Sequence, residues 1–154
     1  MWRRVLLGAA VVAIATGVAV AGKRDWTGSA ACGSCHPREL AAWQATRHAM
    51  TRDRFLVAPG PRPDGRCLAC HGTGEAPAGP AISVEVGCEA CHGAGAAYAE
   101  DDLMRNGPVA RALGLTDLST PKARAAVCSQ CHARQTRGTV FDVSAPVHPP
   151  VTGP

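Results

Sequence analysis

Aromatic side chains are scarce in this chain, with three Trp, two Phe and one Tyr among 154 residues. Trp2 lies in an N-terminal stretch that reads as removable, which leaves Trp26, Trp43, Phe55, Tyr98 and Phe141. So few large side chains exclude a core filled by protein alone, and something else must bring in buried apolar area. No basic cluster with interleaved aromatics is present, which argues against nucleic acid as a partner. No run alternates polar and apolar residues for long enough to build a sheet; Ile82-Ser83-Val84-Glu85-Val86 is the one short extended piece. Nor is any cysteine left over for a structural disulfide, because all eight fall in one repeated pattern.

That pattern is Cys-x-x-Cys-His, and it occurs four times: Cys32, Cys35 and His36; Cys67, Cys70 and His71; Cys88, Cys91 and His92; Cys128, Cys131 and His132. Each copy has the form of an attachment site for one c-type haem. Two thiols three positions apart suit the two vinyl groups of one porphyrin, and the next histidine is placed to ligate the iron. The rival reading is structural zinc. The second and third copies continue Gly-Thr-Gly and Gly-Ala-Gly, which resembles the zinc repeat of DnaJ-type chaperones. The first and fourth lack those glycines, and an all-cysteine zinc site has no need of a histidine after every pair. The expected cofactors are therefore four covalently bound haem c groups.

Met1-Trp2-Arg3-Arg4, the apolar run from Val5 to Ala21, and the small residues Ala19-Val20-Ala21 read as a signal peptide over 1–21. If it is not cleaved, residues 5–21 would serve as an inner-membrane anchor. Either way the motifs are expected outside the cytoplasm, in the bacterial periplasm. The remainder, 22–154, reads as a single tetrahaem domain with 144–154 a loose tail. The formal charge of +4 falls to +2 without Arg3 and Arg4. The ~8 propionate charges of four haems then bring the loaded protein near neutral or acidic.

Glycine and proline mark loops at 59–65, 72–80 and 144–154. Between them, helices are expected from Pro37 to Met50, from Ala96 to Asn106 with a stop at Gly107-Pro108, and from Pro121 into the fourth motif. The motifs recur at unequal spacings, so there is no tandem repeat. The expected fold is mainly α with extensive irregular loops, a compact multihaem cytochrome in which haems form much of the core.

Four irons have eight axial positions, and the motif histidines His36, His71, His92 and His132 fill four. Only His48 and His148 remain, so at most two haems can be bis-histidine from this chain alone. Met50, Met104, Lys23, Lys122, Tyr98, the new N-terminus, a partner chain or an open position are the alternatives for the others. On a continuous helix His48 lies about 18 Å beyond His36. It is therefore expected to ligate a different haem.

Cys32-x-x-Cys-His-Pro with Trp43 and His48-Ala49, then Cys67-x-x-Cys-His-Gly-Thr-Gly and Val86-Gly87-Cys88-Glu89-Ala90-Cys91-His92-Gly93-Ala94-Gly95, resemble the first three motifs of the tetrahaem cytochrome c-554 family. The resemblance implies closely packed haems that pass electrons in the periplasm, one iron being five-coordinate in the family. It implies a distal role for His48. Tyr98 stands where the family usually carries a further histidine ligand. Two functions follow as expectations. The favoured one is an electron carrier between redox partner proteins. The other is a reductase of a small nitrogen oxide, hydroxylamine or peroxide at an open iron, with Tyr98 and Arg105 as nominal proton donors. A subunit of a larger multihaem complex is a third arrangement.

Overall fold

The computed structural model describes residues 25–51, 64–75, 81–132 and 146–149. The expected signal segment, Lys23, Phe55, Phe141 and most of the 144–154 tail lie outside the described residues. The described chain is mainly helical. Its elements are α1 (Ser29–Cys35), α2 (Pro37–Gln44), α3 (Gly65–His71), β1 (Thr73–Gly74), β2 (Ala81–Ser83), α4 (Cys88–His92), α5 (Asp101–Arg105), α6 (Gly107–Ala112) and α7 (Pro121–His132). β1 and β2 pair antiparallel with Thr73 opposite Ser83 and Gly74 opposite Ala81. No helix among the described residues is long and apolar enough to cross a membrane.

Local chemistry sets the helix ends. Pro37 disfavours helical geometry at the preceding residue, so His36 adopts φ −119° and ψ 58° and divides α1 from α2. The two helices pack where Gly33 faces Leu40, at a spot where a Cβ would overlap the leucine. The helix expected to run from Pro37 to Met50 stops at Gln44. There Thr46 directs both its N–H (2.8 Å) and its hydroxyl (2.7 Å) to the carbonyl of Trp43, closing a tight turn in place of another helical one. The helical rise assumed between His36 and His48 therefore does not apply.

The helix expected from Ala96 to Asn106 is confined to Asp101–Arg105, and Gly107-Pro108 opens the next helix instead of stopping one. Asn106 breaks the run with ψ 83°, and its Oδ1 caps α6 by accepting the N–H of Val109 at 3.3 Å. Proline is tolerated at this first turn because its missing N–H would be unpaired there anyway. The third expected helix begins where the sequence places it, with Thr120 Oγ1 accepting the N–H of Ala123 at 3.1 Å.

The buried apolar residues of the described chain are Trp43, Tyr98 and Ala110. Three residues are a thin interior for so many helices, and polar bonds carry much of the positioning. Trp43 Nε1 donates to the carbonyl of Val86 at 2.9 Å, and the Val86 N–H donates to the carbonyl of His48 at 3.2 Å. The segment after α2 is thus clasped to the strand leading into α4. Thr73, also buried, accepts the Gly87 N–H at 2.8 Å and donates to the Glu85 carbonyl at 2.7 Å, fixing the same approach.

Candidate haem-binding site

Each Cys-x-x-Cys-His motif lies on or at the end of a short helix: the first on α1 and its cap, the second on α3, the third as the whole of α4, the fourth at the end of α7. Residues three and four apart share one helix face. In the second, third and fourth motifs a helical turn therefore turns both thiols and the imidazole the same way, as one porphyrin requires, whereas His36 follows its thiols as the cap of α1. All eight cysteines are described, and no disulfide joins any of them. No group of three or more His, Cys, Asp or Glu able to hold a metal ion occurs among the described residues, so the four-cysteine zinc arrangement is not assembled there.

The helices bring the motifs together in two couples. The first and third meet where Cys32 and Cys88 lie close enough that the pairing raises the pKa of the Cys32 thiol and lowers that of Cys88. Ser29 Oγ also accepts the Cys88 N–H at 3.2 Å. The second and fourth meet where Cys131 Sγ lies 3.9 Å from the carbonyl of Ala69.

The two histidines outside the motifs each face a motif histidine. The rings of His48 and His132 have centroids 6.1 Å apart with planes at 75°. Those of His92 and His148 are 6.0 Å apart at 34°. Two imidazoles on one metal, each with a bond of about 2 Å and a nitrogen about 1.1 Å from its ring centre, have centroids about 6.2 Å apart. Both pairs have that span. Burial lowers the pKa of His92 and His48, and for His48 the neighbouring His132 and His71 add to the effect. Both rings are thereby held neutral, the form that ligates.

The ring orientation at the second pair is equally specific. His92 Nδ1 lies 3.1 Å from the carbonyl of Thr116, and His148 Nδ1 lies 2.8 Å from that of Pro149. A carbonyl has no proton to give, so each Nδ1 must be the donor and each Nε2 carries the lone pair. Metal-ligating histidines are commonly fixed in this way. The peptide from His92 onward is held by three further bonds. The Thr116 N–H donates to His92 O at 2.9 Å, and the Tyr98 hydroxyl reaches His92 O at 3.1 Å and Gly93 O at 2.8 Å.

Tyr98, 4% exposed, is thus engaged with backbone carbonyls. Burial pushes its phenol well above the ordinary range, and the role of distal ligand or proton donor considered for it does not fit. Arg105 is likewise committed, its Nε 2.8 Å from Asp101 on an exposed face of α5. Met50 is half exposed at the surface.

Glu89, inside the third motif, was not singled out by sequence reasoning. It is 2% exposed and accepts four hydrogen bonds. Nothing in its position as a variable residue of Cys-x-x-Cys signals that. Trp26 Nε1 is buried with no hydrogen-bond partner among the described residues, just before the segment Glu89 holds.

Paired thiols and histidines on short helices, with opposing imidazoles at metal-spanning distance, are what attachment and ligation of c-type haem require. Residues 31–93, covering the first three motifs, match the family described as cytochrome c554 and c-prime. That match supports covalently bound haem c and a haem-based electron-transfer role in general, with redox proteins as partners. No curated protein and no solved structure matches the chain.

Proposed function

We propose that the chain is an exported tetrahaem cytochrome that relays electrons between redox proteins in the periplasm. Residues 1–21 would act as its signal and 22–154 as one haem-binding domain. The four motifs would each attach one haem through Cys32 and Cys35, Cys67 and Cys70, Cys88 and Cys91, and Cys128 and Cys131. His36, His71, His92 and His132 would ligate the irons. His48 would complete the fourth haem opposite His132, and His148 the third opposite His92. The observation that carries this reading is the matched pair of ring separations, each with the span of two imidazoles on one metal.

The haem would supply a one-electron couple, and this chain's residues would do the rest. The helical turns hold thiols and imidazole on one face. The carbonyls of Thr116 and Pro149 fix the tautomers of His92 and His148. The convergence of the first motif with the third, and of the second with the fourth, brings attachment points close, as a relay needs. The thin interior of Trp43, Tyr98 and Ala110 among the described residues leaves room for haems as the larger part of the core, and the indole N–H of Trp26, unpartnered among those residues, is a donor suited to a propionate.

The test is a pyridine haemochrome count with electron paramagnetic resonance on the purified protein. Four haems are expected, with two low-spin bis-histidine signals. One should be of the large-g type given by near-perpendicular ligand planes and the other rhombic. Fewer haems, or two identical low-spin signals, would refute the assignment. A second reading has one observation in its favour. Six histidines, four of them in the two pairs, leave no further histidine to close the haems of His36 and His71. A reductase acting at one of those irons would show high-spin haem that binds cyanide or nitric oxide. Four low-spin haems would remove that reading.

A further inference from the structure

Glu89 is a buried acid that neither attachment nor ligation uses. Its Oε1 accepts the Thr27 N–H (2.9 Å), the Thr27 hydroxyl (3.3 Å) and the Gly95 N–H (2.7 Å), and its Oε2 accepts the Gly28 N–H (2.8 Å). All four partners are donors, so both oxygens act as carboxylate acceptors. All four are also uncharged, and Glu89 makes no ion pair among the described residues. The space is tight. A Cβ at Gly95 would come within 3.0 Å of Oε1, and one at Gly87 within 2.5 Å of Ser29 Oγ.

The place of this carboxylate gives it a reach beyond its own helix. It sits between Cys88 and Cys91, the two attachment thiols of the third motif. The segment it grips, Thr27-Gly28, leads directly into α1 and the first motif. An uncompensated negative charge away from water acts over a longer range than a surface one. Reduction adds an electron to a haem, and a neighbouring negative charge opposes that.

We propose that Glu89 is a positioning residue that docks the first haem motif on the third and, through its buried charge, holds those two haems at lower reduction potential than they would otherwise have. This rests on the tetrahaem reading, whose failure would appear separately, as missing haem in the unmutated protein. A unit charge within about 10 Å at an effective dielectric near 20 changes an equilibrium about tenfold. For a one-electron couple that is ~59 mV.

The test is spectroelectrochemical titration of the purified holoprotein beside three variants. Glu89→Gln keeps the reach and removes the charge. Two of the four midpoint potentials are expected to rise by about tenfold in equilibrium constant, with the other two unmoved. Glu89→Asp keeps the charge and shortens the reach, so its loading with haem falls while its potentials stay. Unmoved potentials in a fully loaded Glu89→Gln protein, or the same rise in Glu89→Asp, would overturn the proposal. If Glu89→Gln loses haem, Thr27→Val decides. Its exposed hydroxyl gives up one donor to Oε1 and leaves the charge less neutralised, so the same two potentials fall. Potentials that stay or rise there would overturn it equally.

Discussion

Replacing Tyr98 by Phe tests how the third motif is held. The ring that fills the interior is kept, so the loss is confined to the hydroxyl and its contacts at 3.1 Å with His92 O and 2.8 Å with Gly93 O. His92 O still receives the Thr116 N–H at 2.9 Å, whereas Gly93 O loses the donor it has in this arrangement. Leaving one such acceptor unsatisfied costs about 1–2 kcal/mol. On a domain of this size that lowers the melting temperature by roughly 3–8 °C. The assay is thermal unfolding followed at the Soret band, with the spin state read at room temperature. The low-spin count should not change, because the hydroxyl touches carbonyls and not an axial position. Conversion of a haem to high spin by Tyr98→Phe would refute this geometry and return Tyr98 to the role of ligand. pH gives a second reading. The phenol's pKa is raised in the fold, so its contribution is complete below about pH 10, the unfolded value. It is lost as pH rises toward the higher folded value. Above about pH 10 the advantage of the native protein over Tyr98→Phe should shrink.

Other perturbations have equally defined outcomes. His48→Ala and His148→Ala should each turn one low-spin haem high-spin, the first removing the large-g signal and the second the rhombic one; loss of the same signal in both would break the pairing. Gly93→Ala should lower stability by about 1–2 kcal/mol for its left-handed φ of +87° alone. The close approach to Gly114 O, 2.7 Å from the added Cβ, makes it worse, and denaturant titration measures the total. Asp64→Ala should loosen α3 and reduce haem at the second motif, since Asp64 Oδ1 accepts the N–H groups of Arg66 (2.9 Å) and Cys67 (3.1 Å). The Arg66 side chain, then the Cys67 N–H, holds the Asp64 carboxyl down at about 2. Its capping is therefore complete above the ordinary carboxylate value and is lost only as pH falls toward about 2, which an acid titration of native and variant protein will separate.

What the sequence disclosed and what it withheld have a common physical cause. The Cys-x-x-Cys-His motifs are local, and one helical turn suffices to specify them. The start of α7 at Ser119-Thr120-Pro121 is local in the same sense. Counting histidines bounded the distal ligands because composition is independent of fold. Which motif each outer histidine faces was beyond reach, since it depends on contacts such as His92 with His148 that no spacing rule connects. The errors in helix length came from single side chains. Thr46 competes for the Trp43 carbonyl, and Asn106 ends one helix and caps the next, where Gly107-Pro108 had read as a stop. Glu89 stayed hidden because its four partners come from residues 27, 28 and 95, far from it in sequence or around a turn.

The two ring pairs also carry information about time. His132 belongs to the last motif, and His148 follows it along the chain. A polypeptide that emerges N-terminus first presents His36, His48, His71 and His92 before either opposing partner exists. Neither pair can close until the fourth motif has been delivered. A chain interrupted between residues 92 and 132 would therefore carry three complete Cys-x-x-Cys-His motifs and no completed histidine pair.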